Sequence, residues 1–449
     1  MVIRNPIEAM RMKRLTIKDN YKQKKETFSQ VKNLTGKIAN KTLEQLEREG
    51  VFVFPDTVKD AGDITREQMI LQSVDDAYRS GNVMGVLGYG DERLIIESRF
   101  CGKSEDYFFP YLLNKVLDFP NIVDLKSDAN HDDRMFDFFL FLFPIYLKTA
   151  MRKGLFKKYI RRCYNDGYLR GTIDVARHIE KNTPFVGKIA YRQREFSYDN
   201  GLMELVRHTI EFIKRKSYGN KLLVKVKDEV RLVIEATPGY ELYDRQKMIE
   251  QNKKNAIRHA YFREYLALQR LCLLILQHQK HQIGLGVKRI YGILFDAAWL
   301  WEEYINSLIG DTFYHPMNKG GKGAQRLFDE NVGLIYPDFI SRDSEKCMIA
   351  DAKYKPIDNI GNRDYLQVLA YMFRFDAKIG YYLYPEAGNA DDLLLRMNQG
   401  STFEKNVKPR EDIRVWKHGL KIPMDAQDYD DFATKMKESE RAFCKRVLE

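Results

Sequence analysis

The sequence predicts an α+β N-terminal domain followed by an α/β C-terminal domain, the latter with a mixed central sheet flanked by helices. Three observations predict this. The chain has 449 residues, more than one hydrophobic core usually organises, so two or three domains are expected. Its composition, 44% hydrophobic and 31% charged, is that of a globular protein with material for large cores. Beyond residue 256, helical and strand patterns alternate along the chain, which is the habit of an α/β domain.

The elements follow in order. Residues 1–80 are polar and helical in pattern, as in NKTLEQLEREG, a capped surface helix ended by Gly50. From Val83, NVMGVLGYGDERLIIESRF alternates like a hairpin turning at a Gly-Asp pair. Residues 106–160 read as packed helices, including the run FDFFLFLFPIYL from Phe136. GYLRGTIDVARHI and KIAYRQREFSYDN read as strands around the turn Asn182-Thr183-Pro184. A helix follows from Gly201 to Lys216, and a long amphipathic segment runs from Ala256 to Gln279. The main boundary is placed just before that segment. The expected division is therefore a helical extension over 1–80, an N-terminal domain over 81–250 and a C-terminal domain over 251–449. Within the last, DAAWLWEEYINSLI and RDYLQVLAYMFRF are helices, separated by two or three strands and followed by the strand KIGYYLYP.

Charge and cysteine content narrow the function. A formal net charge of +11 favours a polyanionic partner, with nucleic acid ahead of a membrane surface. The basic density is highest between Arg152 and Arg194, where phosphate contacts or docking on an acidic protein are the two physical uses. The five cysteines are scattered and form no CxxC pair. That excludes a disulfide framework and a cysteine zinc site, and suits a reducing cytoplasm. No secretory signal is expected, and the Phe-rich run, broken by Pro144 and carrying Asp137, is too short to span a bilayer. The Gly-rich stretches GVLGYGD and NKGGKGAQR do not match a P-loop, and the eight histidines show no HExxH spacing. Core or surface roles are expected for the histidines, His315 included. Gly320–Gly323 are expected to form a mobile loop.

One stretch carries chemistry. In GLIYPDFISRDSEKCMIADAKYKP, two short apolar runs deliver Asp338 and Asp351, with Lys353 two residues beyond the second. Carboxylates are costly to bury unless a positive charge is shared between them. A hard divalent cation suits two or three acidic ligands and keeps several waters, and such an ion promotes phosphodiester hydrolysis. The Ala352 carbonyl could add a ligand, and Lys353 could orient the attacking water or offset developing charge. Helix DYLQVLAYMF places Gln367 and Tyr371 four apart on one face. Upstream, LWEEYI puts Glu302 and Glu303 on an otherwise apolar helix.

The pattern Pro337-Asp338 with Asp351-x-Lys353 resembles the PD-(D/E)xK nuclease signature. Gln367 and Tyr371 resemble the QxxxY helix of its RecB-like branch, which lies beside the metal site and contacts substrate. That branch also has an acidic residue on its first helix, matched here by Glu302. MGVLGYGDERLIIESRF, DYFFPYLLNKV, GLFKKYIRRCYNDGYLRGTID, FVGKIAYRQREFSYDN and AAWLWEEYI…YPDF…IADAKYK together resemble the McrC family, particularly its LlaJI-type branch, over about residues 80–385. The resemblance implies an endonuclease subunit dependent on Mg²⁺ or Mn²⁺. It implies Asp338, Asp351, Glu302 and the Ala352 carbonyl as metal ligands, with Lys353, Gln367 and Tyr371 completing the site. It also implies a partner, a McrB-like AAA+ GTPase hexamer that the N-terminal part enters and stimulates. Two alternatives stay open: a stand-alone nuclease of repair or recombination, and a non-catalytic regulator of an AAA+ motor.

Overall fold

The computed structural model describes residues 13–54, 68–102, 106–117, 131–257, 259–278, 290–316, 325–330, 332–343, 345–388 and 391–448. The glycine run 320–323, expected as a mobile loop, lies outside them. The chain forms two compact units. One combines residues 1–127 with 284–449, and the other comprises 128–283. These units do not follow the divisions expected at 80/81 and 250/251: the chain leaves its first unit, builds a second, and returns.

The first segment is richer in strands than its polar composition suggests. It contains β1 (Lys13–Lys18), β2 (Lys22–Lys24), α1 (Lys32–Ile38), α2 (Leu43–Glu49), β3 (Val51–Phe54), β4 (Leu71–Val74), β5 (Ala77–Ser80), β6 (Val83–Tyr89), β7 (Glu92–Glu97) and α3 (Phe108–Leu117). The helical extension expected over 1–80 is thus mixed in its described part, with strands interleaved among its helices. Short, half-polar strands there lack a clean period of two, so packing rather than pattern decides them. Helix α2 follows local rules: Thr42 and Gln45 form a capping box, and Gly50 closes it at φ 113°. The β6–β7 hairpin turns at Gly90-Asp91, with Gly90 at φ 57°.

The second unit contains α4 (His131–Met151), β8 (Lys158–Asp166), β9 (Thr172–Ile173), α5 (Val175–Asn182), β10 (Ile189–Ser197), α6 (Gly201–Lys214), α7 (Gly219–Val224), α8 (Lys227–Ala236), α9 (Arg245–Lys254) and α10 (Glu264–His278). β8 and β10 pair antiparallel, with β9 added at the β10 edge. The sequence VARHI, read above as strand, is helical in α5, because Asp174 caps its N-terminus by accepting from Arg177 N–H. Asn200 caps α6 in the same way through Leu202 and Met203 N–H. α10 packs on α4, α6 and α9, burying Tyr265, Leu268, Leu271, Cys272 and Ile275 completely.

The returning segment contains β11 (Tyr291–Asp296), α11 (Ala297–Ile309), β12 (Phe313–Tyr314), β13 (Gln325–Arg326), β14 (Leu334–Ile335), β15 (Phe339–Ser341), β16 (Met348–Ala352), α12 (Asn362–Arg374), β17 (Ile379–Glu386), β18 (Leu393–Gln399), β19 (Lys408–Lys421) and α13 (Tyr429–Leu448). β11 enters the first sheet, whose order is β1-β7-β6-β11-β3. β6 and β11 approach so closely that a Cβ on Gly85 would stand 2.2 Å from the Ile293 carbonyl oxygen, and one on Gly292 2.1 Å from that of Val86. Leu87, Leu94 and Leu294 of this sheet share a core with Val31, Leu34, Ile38 and Leu46. The remaining strands form a six-stranded sheet ordered β12-β15-β16-β17-β19-β18. β17 is parallel to both neighbours and the outer pairings are antiparallel, so the sheet is mixed, as the sequence predicts. Helices α11, α12 and α13 pack against it.

Candidate active site

The candidate residues converge at one end of β15 and β16, although not quite as their sequence suggests. Leu334 and Ile335 belong to a separate two-stranded ladder with β13, so Asp338 does not end their strand. It stands immediately before β15, whose pairing Phe339 with Ala350 and Ile340 with Ile349 places Asp338 across from Asp351 at the next step. Asp351 lies within β16 and is 1% exposed. The Asp338 carboxylate accepts from Ala352 N–H at 2.8 Å, which ties the two strands together on the carboxylate side.

Lys353 fills the space between these acids and α12. Its ammonium lies 2.6 Å from Asp351 Oδ2, donates to Gln367 Oε1 at 3.2 Å and stands 4.0 Å from Asp364. Gln367 Nε2 donates onward to the Tyr371 hydroxyl at 2.8 Å, and that hydroxyl donates to the Tyr336 carbonyl at 3.3 Å. The i, i+4 spacing thus makes one continuous chain from the lysine to the backbone just before Pro337-Asp338. Val368 and Met372 on the same helix are buried against Ile349 and Tyr382, which sets the rotation of α12. Its first turn is held by Asp364, which caps Gly361 N–H and accepts from Lys355 at 2.7 and 2.8 Å.

Glu302 reaches the site from α11, a helix capped by Asp296 through Ala298 N–H and anchored by Trp301, whose indole donates to the Leu383 carbonyl at 3.0 Å. His315 links it to the strands. Its Nδ1–H donates to the Asp338 carbonyl at 2.7 Å, while Nε2 faces Glu302 at 3.5 Å and Glu303 at 3.7 Å. Sequence reasoning gave His315 no role, since no ligand spacing surrounds it. The same holds for Lys355 and Asp364, for which the only signal was the alternation Lys353-Tyr354-Lys355 beside the aspartates.

Electrostatics reflect this crowding. Desolvation, reinforced by the negative charges of Asp351 and Glu302, pushes the Asp338 carboxyl well above the usual carboxylate range, against the pull of Lys353. Desolvation works against the Lys353 ammonium, yet Asp351 and Asp338 overcome it and hold the lysine above its ordinary value. His315 behaves alike: burial opposes its charge, but Glu303, the Asp338 carbonyl and Glu302 raise its pKa.

Among the described residues no group of three or more His, Cys, Asp and Glu side chains is arranged to hold a metal ion. The donor chemistry nonetheless suits a hard cation: two facing carboxylates with the Ala352 carbonyl beside them and Glu302 on the adjacent helix, all oxygen donors. Mg²⁺ needs only one or two carboxylates, since waters complete its shell. The raised Asp338 carboxyl reflects burial first and the negative charges of Asp351 and Glu302 after it.

Comparison with known proteins places the chain. A family model described as McrBC 5-methylcytosine restriction system component matches residues 78–385. The chain belongs to the McrBC family. The matched stretch runs through both units and includes every candidate residue. No curated protein matches the chain. Among solved structures, a refined half-complex from the tetradecameric assembly of Thermococcus gammatolerans McrB AAA+ hexamers with bound McrC is similar at 15% identity and TM-score 0.46, covering 97% of this chain and 100% of that one. A cryo-EM structure of the Thermococcus gammatolerans McrBC complex is similar at 15% identity and TM-score 0.32, covering 68% and 90%.

Proposed function

We propose that this McrBC-family protein is a Mg²⁺-dependent endodeoxyribonuclease of the PD-(D/E)xK type, acting as the cleaving subunit of a restriction system alongside a McrB-like AAA+ GTPase hexamer that it stimulates. The observation that carries the reading is the convergence of Asp338, Asp351 and Lys353 with the Gln367–Tyr371 pair at one end of a mixed sheet.

Asp338, Asp351 and the Ala352 carbonyl would hold the ion, with Glu302 completing the acidic side. When bound, the ion supplies charge neutralisation at the phosphate and a more acidic water. Lys353, kept protonated by its acidic neighbours, is placed to orient the nucleophile and to offset charge developing on the phosphate. Gln367 and Tyr371 fix the lysine's position and present polar groups toward a DNA backbone. His315 holds Glu302 and the Asp338 backbone in register. No P-loop pattern occurs in the sequence, in keeping with a nucleotide-driven motor supplied by a partner.

The test is cleavage of methylated and unmethylated DNA by the purified chain, with and without the AAA+ protein and with GTP or ATP. The reading expects cleavage only with Mg²⁺ or Mn²⁺, the partner and nucleotide. Efficient cutting by the chain alone would instead indicate a stand-alone nuclease. Full activity in excess chelator would remove the metal assignment.

A further inference from the structure

Tyr354 stands between two lysines of the candidate site and turns the other way. Lys353 reaches Asp351 at 2.6 Å and Lys355 reaches Asp364 at 2.7 Å, whereas the Tyr354 side chain packs among residues of β6 and the segment after β7. Alternation of side chains along an extended chain produces this split. Tyr354 is 5% exposed. Its hydroxyl is hydrogen-bonded to Ser98 Oγ at 2.7 Å and donates to Met84 Sδ at 3.7 Å. The Arg99 guanidinium lies over its ring, 4.8 Å from the centroid, and Phe100 meets the ring in a T-shaped contact at 5.1 Å.

The groups around the ring are themselves fixed by charge. Arg99 Nε and Nη2 donate to Asp19 Oδ2 at 2.9 and 2.6 Å, and Asp19 Oδ1 accepts from the Arg99 backbone N–H at 2.6 Å. Asp19 is fully buried, and a guanidinium fork on a carboxylate is among the stronger and more directional polar contacts. Arg99 also donates to the Asn82 side chain. The Asn82 carbonyl accepts from Ala297 N–H at 3.2 Å, at the first residue of the helix that carries Glu302. Asp106 accepts from Ser98 N–H at 2.8 Å, which fixes the serine that holds the phenol. One charged hub thus touches both the strand end bearing Lys353 and the helix bearing Glu302. Asp19 precedes the stretch 78–385 that the family model matches, so the hub draws on a residue outside that match.

Building on the nuclease reading, we propose that Tyr354 is a positioning residue for cleavage, clamped by the Asp19–Arg99 pair so that the first sheet sets where the Lys353 ammonium stands. On the side of the six-stranded sheet, Lys353 N–H donates to the Leu383 carbonyl at 2.9 Å, so β17 and the Tyr354 clamp hold the lysine's backbone between them. That backbone matters because the lysine side chain is a long flexible stem, and the place of its Cα decides whether the ammonium can meet Asp351 and Gln367 together. A displacement of about 1 Å near a reacting group can cost about 10²-fold in rate. An aliphatic side chain would fill the same space. The guanidinium over the ring and the hydroxyl on Ser98 fix the ring's plane and depth as well.

The experiment is single-turnover DNA cleavage by the full-length chain with the AAA+ protein, GTP and Mg²⁺, read beside DNA affinity, stimulation of GTP hydrolysis and thermal melting. Tyr354→Phe, which keeps the ring under Arg99, should lower the cleavage rate about fivefold, the scale of one hydrogen bond. Ser98→Ala should repeat that loss, and the double variant should add nothing to it, since both remove the same bond. Tyr354→Leu should lower the rate about 10²-fold. DNA affinity and GTP hydrolysis should be unchanged, because a misplaced group slows the chemical step and not binding. A purely structural role would not move one further readout, the combination with Lys353→Ala. Without an ammonium to place, Tyr354→Phe should leave the residual rate as it is. Loss by the same factor in both backgrounds, an undiminished rate in folded Tyr354→Leu, or a drop explained by weaker DNA binding overturns the inference, while cleavage by the wild type upholds the nuclease reading. Should Tyr354→Leu fail to fold, Tyr354→Phe and Ser98→Ala decide. Absence of cleavage by the wild type overturns that reading, and this inference with it.

Discussion

At the scale of residues, the candidate site is a balance between two aspartates and one lysine, and the balance makes separable predictions. Lys353 sits 2.6 Å from a carboxylate that is 1% exposed. Lys353→Ala should reduce cleavage about 10²–10⁴-fold, the usual range for a positioned catalytic group. It should also lower stability by about 3 kcal/mol, because it strands a buried negative charge. A metal site predicts in addition that Mg²⁺ raises the melting temperature of Lys353→Ala more than that of the wild type; equal shifts would argue against an ion at these carboxylates. Asp338 behaves oppositely. Its folded-state pKa is raised by desolvation and by Asp351 and Glu302, so the folded protein binds more protons than the unfolded chain above the ordinary aspartate pKa. Stability is therefore lost as pH climbs from about 4. Asp338→Asn, which removes that charge, should melt higher than wild type at pH 7 without divalent ions and equal to it below about pH 4. A pH-independent difference in thermal melts would assign the effect to packing instead.

At the scale of elements, the sequence showed the motif's members but not the framework that sets their angles. Gln367 and Tyr371 were legible because helical spacing is local, and Asp338 and Asp351 because each follows a short apolar run, where a carboxylate is costly to bury. What was hidden is the origin of the strands around them. β11 is six residues whose partners, Val51–Phe54 and Val83–Tyr89, lie some two hundred residues away in sequence, and no periodicity announces a pairing of that range. His315 was hidden for the same reason: its partners lie on α11 and before β15. The residues after about 390 carry no motif, yet β19 is an interior strand of the six-stranded sheet and α13 supplies Glu440. That carboxylate is 8% exposed and accepts from Tyr111 of α3 and Tyr304 of α11, each at 2.7 Å, and from Lys115 at 3.2 Å. Glu440→Ala should cost about 2–4 kcal/mol, since it leaves two buried phenols unsatisfied. Because α11 also carries Glu302, cleavage should fall with it, while Glu440→Gln, which keeps an acceptor, should recover most of the stability in a denaturant melt.

At the scale of the whole molecule, the division into units decides how the two proposed activities can be pulled apart. A fragment ending near residue 250 follows naturally from the sequence, since the candidate acids begin at Glu302. The structure argues against it on both sides of the cut. Such a fragment lacks β11, which lies between β6 and β3 in the first sheet, and it lacks α10, whose buried face packs on α4, α6 and α9 of the inserted unit. Exposing Tyr265, Leu268, Leu271 and Ile275 positions together would deny that unit much of its apolar burial, at about 1.5–3 kcal/mol for each large side chain. The 1–250 fragment should therefore aggregate or melt without cooperativity, whereas residues 128–283 should give a cooperative thermal transition by circular dichroism. The cleaner separation of functions is Asp351→Ala in the full-length chain, which alters one candidate ligand inside β16 and leaves every element of the inserted unit in place. It should abolish DNA cleavage and leave stimulation of the AAA+ partner's GTP hydrolysis within about twofold of wild type, because the substitution removes one candidate metal-ligating carboxylate and no side chain of the inserted unit. Charge reversal at Arg192 and Arg194 on β10, in the basic stretch, is expected to weaken that stimulation and, with it, the partner-dependent cleavage. Were folded Asp351→Ala to lose stimulation together with cleavage, the two activities would share one site, and the division of labour proposed for this protein would fail.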